Sequence, residues 1–250
     1  MVGKFIWHQV NVVVILKKNM RQQATGTEEK AFHTALENMR YAACTTKDLR
    51  FLRSKIVHTD SDLLLKDANF RNVSIITAQN KYKDMFNVIG SKRFAADHGL
   101  DLHDFYSVDE LLSAPEPGAK KRKYRRKTSS KLMMTEPLQR QIWNITPSST
   151  AHVAGKLSLC LGMPVMICHN DATELCITKG QEGLVAGWDS STGPYGQNIL
   201  ETLYVQLINP PKNVKFEGLA DNIVPIPKSK EKIYCMYKDD HQIRIEREQV

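Results

Sequence analysis

The sequence predicts an α/β first half followed by a β-rich second half, on three observations. Two β-branched apolar runs, at 5–16 and 72–80, end in polar residues and alternate with helical patterns. From residue 157 onward, short apolar runs separated by Gly and Asn are typical of strands joined by tight turns. Between the halves, the chain is basic and almost free of apolar residues. We therefore divide the chain into 1–112, a flexible basic loop at 113–131, and 132–250.

The composition is typical of a globular protein. The chain has 250 residues, 42% of them hydrophobic, which is enough for one large domain or two smaller ones. No apolar run reaches the roughly 18 residues that cross a membrane, so we expect no membrane partner. The five cysteines are odd in number and form no C-x-x-C pair. They predict reduced, structural thiols and no metal site, and the place of Cys160, Cys168 and Cys176 inside apolar strand runs favours their burial. A zinc module built on Cys160, Cys168, His169 and Cys176 is the alternative.

The first apolar run, 5–16, predicts a buried strand, because continuous apolar runs suit a parallel sheet covered on both faces. Thr25 and Glu28 have capping-box spacing and predict a helix that ends near Ala43. Further helices are predicted to begin at Thr46 and near Ser61.

The second apolar run, 72–80, predicts another strand with a polar end. Asn80 is the predicted N-cap of a helix that continues to Asp97. The predicted inward side chains of this helix are Met85, Phe86, Ile89 and Phe94. The order strand, helices, strand, helix is a βαβ-type pattern and predicts a partial RecA-like α/β domain.

The second half predicts strands within 157–188, at 200–207 and at 233–250, with Trp143 as an apolar anchor before them. Several short strands within 157–188 indicate a small barrel or an antiparallel sheet. The alternating pattern continues to the last residues without a terminal cap. We therefore expect the sequence to be a fragment.

The basic charge is concentrated in one segment. The net charge is +8, from 35 basic and 27 acidic residues. Eight basic residues fall between positions 120 and 131: Lys120, Lys121, Arg122, Lys123, Arg125, Arg126, Lys127 and Lys131. Without them, 27 basic residues balance 27 acidic ones. The segment has three interpretations: a phosphate-binding element with Tyr124 stacking on a base, a nuclear-localisation signal, or a solvated loop.

Residues 13–22 read Val-Val-Ile-Leu-Lys-Lys-Asn-Met-Arg-Gln. They resemble the strand-then-"NxRQ" element of superfamily 1B DNA helicases. The resemblance is to the petite-integration-frequency (RecD-like) helicases, including those of Helitron-type transposons. It implies that Arg21 and Gln22 contact the nucleotide. Arg21 would act catalytically, by stabilising charge on the transferred phosphoryl group.

Two later elements resemble the same family in the same order. Thr77, Asn80 and Asn87 match in type a "strand-Thr-x-Asn" element, which implies phosphate contacts on single-stranded DNA. Residues 159–185 resemble the signature "LxxGxPVMxxxN…xNGxxGxV", which forms a small Src-homology-like barrel near the DNA in the family. Lys179 replaces the usual Asn of that signature. It is costlier than Asn in a type I′ turn but is able to contact a phosphate.

The resemblance implies a fragment of an ATP-dependent DNA helicase that serves DNA unwinding, repair, recombination or transposition. No Walker A motif occurs in the sequence. ATP and Mg²⁺ are thus expected only in a full-length helicase, and we expect no ATP hydrolysis by this chain alone. The expected partners are single-stranded DNA and the missing N-terminal motor domain. The expected location is the nucleus, with the mitochondrion as the alternative. A non-enzymatic, nucleic-acid-binding helicase relic is the competing hypothesis.

Overall fold

The computed structural model describes residues 2–15, 26–57, 70–112, 131–132, 134–237 and 241–250. The chain divides into two compact units, Met1–Arg71 and Asn72–Val250. Helices and antiparallel sheets are both present, which agrees with the predicted α/β class at a coarse level. Among the described residues, every strand pair is antiparallel, so the predicted βαβ unit is not formed there.

The regular structure described in the first unit is helical. Its helices are α1 (Val2–Trp7), α2 (Thr27–Arg40) and α3 (Thr46–Arg53). The predicted helices at 25–43 and from Thr46 are confirmed, with α2 shorter than expected. The carboxylate of Glu29 accepts from the Gly26 N–H at 3.0 Å at the start of α2, and Thr25 lies outside the described residues. The helix predicted near Ser61 also lies outside them.

Asp48 joins α3 to α2. Its carboxylate accepts from the hydroxyl and the N–H of Thr45, at 2.7 and 2.8 Å, and from the side-chain amide of Asn38 at 2.9 Å. The Thr45 bonds are the main reason that the pKa of Asp48 is lowered, because they favour the charged carboxylate. Thr45, one residue before the predicted start, is the N-cap of α3.

The strand predicted at 5–16 is wrong for its described residues. Residues up to Trp7 belong to α1, and 10–15 have no regular structure. Val12, Val13 and Val14 are 77%, 63% and 80% exposed. A strand is stable only when its backbone groups pair with a neighbour, and no described residue pairs with this segment. An apolar run indicates that a segment favours burial. It does not indicate that a neighbouring strand is available to pair with it.

The strand predicted at 72–80 is wrong for the same reason. Residues 73–77 are irregular, and Ile75 and Ile76 are 60% and 99% exposed. The following helix, α4 (Asn80–His98), is confirmed. Its predicted inward face is mostly wrong.

The buried residues of α4 are Phe94, Ala95 and Asp84. Met85, Phe86 and Ile89, which were predicted to be buried, face solvent. Phe94 and Ala95 pack into a hydrophobic cluster of the second unit. The Asp84 carboxylate lies on the same buried side of the helix and accepts from the Ser148 N–H at 2.9 Å.

The described part of the second unit contains three antiparallel sheets. The first pairs β1 (His103–Tyr106) with β4 (Lys156–Leu159). The second has the order β3-β2-β10-β9, and the third has the order β5-β6-β7-β8. Their strands are β2 (Val108–Leu112), β3 (Lys131–Leu132), β9 (Ser229–Tyr237), β10 (His241–Gln249), β5 (Pro164–Met166), β6 (Glu182–Thr192), β7 (Asn198–Leu207) and β8 (Ile223–Pro227). The strands predicted in the second half are thus confirmed, whereas β1, β2, β3 and β8 were not predicted.

Two hydrophobic clusters form the core of the second unit as far as its residues are described. The larger includes Phe94 of α4, Phe105 of β1, and Val185 and Val205 of the β6–β7 pair. The smaller surrounds Ile142 of the short helix α5 (Glu136–Trp143). Trp143 is the predicted anchor: it is 7% exposed, and its indole N–H donates to the Ser107 carbonyl at 2.9 Å.

Candidate nucleic-acid interface

Lys179 lies in an exposed turn between β5 and β6. The Gly180 N–H donates to the Ile167 carbonyl at 2.8 Å, and the Gln181 N–H donates to the Thr178 carbonyl at 3.0 Å. The Lys179 N–H donates to Oδ1 of Asn170 at 2.8 Å. The backbone of Lys179 is therefore held by a side chain, and its ammonium group is exposed to solvent.

The strain expected from Lys179 is absent. Gly180 has a φ of +91°, and Lys179 is not among the described non-glycine residues with positive φ. A single positive φ at the third turn position is typical of a type II turn. Such a turn favours glycine at the third position and accepts lysine at the second. The expected type I′ turn, which would have made Lys179 costly, is therefore wrong.

Gly183 follows the turn where β6 approaches β7. A Cβ atom at this position would lie 2.3 Å from Cγ1 of Val205 and 2.9 Å from the Gln206 carbonyl oxygen. Glycine is therefore required by close packing of the two strands, and not by backbone conformation.

We expect Gly183→Ala to lower the free energy of unfolding by about 1–3 kcal/mol, the usual cost of overpacking a core. Gly187→Ala is the matched control, because its Cβ would meet only Cδ2 of Tyr204, at 4.0 Å. The control should change stability by less than about 0.5 kcal/mol. Urea denaturation followed by tryptophan fluorescence measures both, and equal effects would contradict the packing argument.

Thr77 and Asn80 lie at the start of α4. Thr77 is half-buried and Asn80 is exposed. Asn80 is the first residue of the helix and not its cap; the N-cap is Gln79, which makes no side-chain capping bond. The capping role predicted for Asn80 is therefore wrong, and its proposed contact with DNA stays a prediction.

One hydrogen bond brings the Thr77 segment to the Lys179 turn. The hydroxyl of Ser74 donates to Oε1 of Glu182. Ser74 lies three residues before Thr77, and Glu182 lies three residues after Lys179. Two elements that are far apart in the sequence are thus neighbours in the second unit.

The other predicted site residues lie outside the described residues: Arg21, Gln22, Lys120, Lys121, Arg122, Lys123, Arg125, Arg126 and Lys127. The ends of the basic segment are described, because Leu112 of β2 is the register partner of Lys131 of β3. The segment therefore leaves and rejoins the same sheet at neighbouring positions.

The end of the sheet that carries Lys179 is not basic. Between 168 and 182 and between 208 and 222, the basic residues are Lys179, Lys212 and Lys215. The acidic residues are Asp171, Glu174, Glu182, Glu217 and Asp221. Three positive charges against five negative ones do not attract a polyanion over a long range. The positive charge that would attract a polyanion is concentrated in the basic segment between 120 and 131 instead.

A buried ion pair was missed by the sequence predictions. Arg247 is fully buried, and its Nε and Nη2 donate to Oδ1 and Oδ2 of Asp109, each at 2.9 Å. Nη1 donates to the Val153 carbonyl at 2.9 Å, and the Gln139 amide donates to Asp109 at 2.9 Å. A signal did exist: Ile243, Ile245 and Arg247 alternate, so Arg247 shares the inward face of β10.

The cysteines follow the prediction in part. Cys160, Cys176 and Cys235 are buried free thiols, whereas Cys44 and Cys168 are exposed. Burial raises the pKa of Cys160 and of Cys235. The burial predicted for Cys168 is wrong, because it follows β5 in an exposed segment.

Within the described ranges, no group of three or more His, Cys, Asp or Glu side chains is placed to hold a metal ion. Among the described helices, none is long and apolar enough to cross a membrane.

Comparison with known proteins finds a likeness among the solved structures. No family model matches the chain. No curated protein matches it either. The chain is similar to the crystal structure of Pif1 helicase from Candida albicans, with 16% sequence identity and a TM-score of 0.45. The alignment covers 94% of this chain and 44% of that chain. The likeness is to a helicase in coarse outline. With a TM-score below 0.5, it carries no argument about function.

Proposed function

We propose that this chain is the second motor domain and small accessory barrel of a petite-integration-frequency-type DNA helicase, and that it binds single-stranded DNA. The observation that carries the proposal is the Ser74–Glu182 hydrogen bond. It joins two elements that the sequence resemblance independently associates with DNA, the Thr77 segment and the Lys179 turn. Contacts to phosphates from both elements would then fall on one strand.

The exposed apolar residues of 10–15 and 73–76 support the motor-domain part of the proposal. Each run has the amino-acid composition of a buried strand, and each lacks a sheet partner among the described residues. A RecA-like sheet would supply partners. In a complete helicase, the first motor domain would supply the Walker motif, ATP and Mg²⁺ would bind at the junction, and Arg21 and Gln22 would contact the nucleotide. The isolated chain is therefore proposed to lack ATPase activity.

A non-enzymatic, nucleic-acid-binding relic is the second candidate. It rests on the same proposed DNA contacts, which all lie in this chain, and requires no nucleotide site. Both candidates bind single-stranded DNA. They differ in whether adding a first motor domain produces DNA-stimulated ATP hydrolysis, which steady-state phosphate release would measure.

We expect Lys179→Gln to weaken binding of a thymidine oligonucleotide by a few fold. The slope of log K against log salt concentration should fall in magnitude by about 0.7, the value for one lost phosphate contact on a single strand. Fluorescence anisotropy at several salt concentrations measures both quantities.

Lys232→Gln is the matched control. It removes the same charge from β9, where the ammonium group lies 3.7 Å from Glu246. The control should leave the salt slope unchanged. If Lys179→Gln and the original protein have identical salt slopes, Lys179 does not contact a phosphate of the DNA.

A further inference from the structure

Among the described residues, two side-chain hydrogen bonds connect the segment 72–78 to the rest of the second unit. Nη2 of Arg93 on α4 donates to Oδ1 of Asn72 at 3.3 Å, and the Ser74 hydroxyl donates to Glu182. The segment has no regular structure of its own, and Val73 and Ile75 are 49% and 60% exposed. The position of this segment therefore depends on the side chains of Arg93 and Glu182, which bond to it.

Glu182 is held more firmly than Ser74. It is the first residue of β6 and pairs with Met166 of β5. Its carbonyl accepts from the Ile208 N–H and from the Gln181 side-chain amide, each at 2.9 Å. The carboxylate thus projects from a fixed strand end, whereas the Ser74 hydroxyl belongs to an irregular segment.

We propose that Glu182 is a positioning residue that holds Ser74 and so keeps the Thr77 segment beside the Lys179 turn. The inference rests on the proposed DNA-binding function. In it, Glu182 contributes to DNA binding without contacting DNA itself. Glu182 has a second, opposing effect, because its negative charge close to Lys179 repels phosphates. Hydrogen bonding and charge therefore act in opposite directions, which allows variants to separate them.

Spin labels at Ala78 and Ala186 would measure the position of the segment without DNA. Both positions are exposed, and the exposed thiols of Cys44 and Cys168 must first be replaced by serine. Pulsed electron resonance then gives the distribution of distances between the two labels. In the full chain we expect a narrow distribution. Ser74→Ala and Glu182→Ala should broaden it, whereas Glu182→Gln should keep it narrow, because the amide oxygen still accepts the bond.

Binding of a thymidine oligonucleotide provides the functional measurement. Ser74→Ala should weaken binding roughly fivefold, the factor expected for one net hydrogen bond. Glu182→Gln should strengthen binding about twofold, because a screened surface charge is removed. Glu174→Gln is the matched control, since it removes a nearby exposed carboxylate; it should strengthen binding similarly and leave the distance distribution unchanged.

A Ser74→Ala distribution as narrow as that of the original protein would overturn the positioning role. If Ser74→Ala broadens the distribution but leaves the affinity for DNA unchanged, the result would support the positioning of Ser74 by Glu182. The same result would refute the proposed contact of this segment with DNA. The two failures are thus distinguishable.

Discussion

Replacing the basic segment with a short neutral linker is expected to remove most of the affinity for single-stranded DNA. Seven cations lie between 120 and 127, and each phosphate contact on a single strand contributes about 0.7 to the salt slope. If all seven contact phosphates, the slope should fall in magnitude by about 5. The contribution expected from Lys179 is much smaller, because acidic residues outnumber basic ones around it.

The structure defines where the replacement should be made. Leu112 and Lys131 are register partners, so a linker of a few Gly and Ser residues in place of 113–130 can close a hairpin between β2 and β3. Lys131 should be kept, because removing it would shorten β3. A second variant with the same residues in scrambled order is the control for charge alone, and it should bind as tightly as the original.

An unchanged affinity and salt slope after replacement would exclude the segment as the DNA contact. The localisation interpretation is tested separately, by following a fluorescent fusion of the same variant in cells. Loss of nuclear accumulation with intact DNA binding would assign the segment to localisation. Changes in both would show that the two roles coexist.

Arg247→Met is expected to lower the free energy of unfolding of the second unit by about 3–5 kcal/mol. The substitution leaves Asp109 buried without its cation, and an uncompensated buried charge carries a cost of this size. The carbonyl of Val153 also loses its donor. Urea denaturation, followed by the fluorescence of buried Trp143, measures the change.

Arg140→Ala is the matched control, because it breaks an arginine–carboxylate pair of similar length at the surface. Nη2 of Arg140 lies 2.7 Å from Glu136, and the two side chains are 62% and 47% exposed. The control should cost no more than about 0.5 kcal/mol. Combining Arg247→Met with Asp109→Leu should recover much of the lost stability, since both charges are then removed. A small effect of Arg247→Met alone would contradict the burial of this pair.

Local patterns predicted some elements well. The apolar runs around Pro164 and Val185, and the glycines between them, correctly placed β5, β6 and the turn that joins them. The presence and approximate bounds of α2, α3 and α4 were correctly predicted, although the cap and most of the inward face predicted for α4 were wrong. These elements depend mainly on near neighbours in the chain, and such information is contained in short windows of sequence.

The same reasoning failed where the outcome depends on distant residues. Residues 10–15 have the composition of a buried strand but no partner in the described part of the chain. Met85, Phe86 and Ile89 are spaced as an inward face, yet they face solvent. The helix packs through Phe94, Ala95 and Asp84 instead. Periodicity identifies which residues share a face, and not what that face contacts.

The sequence by itself determined α2, α3 and α4, most strands of the second half, the concentration of positive charge between 120 and 131, and glycine at 180. Tertiary structure alone decided three further features. It paired Arg247 with Asp109, joined Ser74 to Glu182, and returned the basic segment to its own sheet through Leu112 and Lys131. Ser74 and Glu182 are separated by 108 residues and Asp109 and Arg247 by 138. No local pattern records such pairings, because they arise only when packing brings distant strands together.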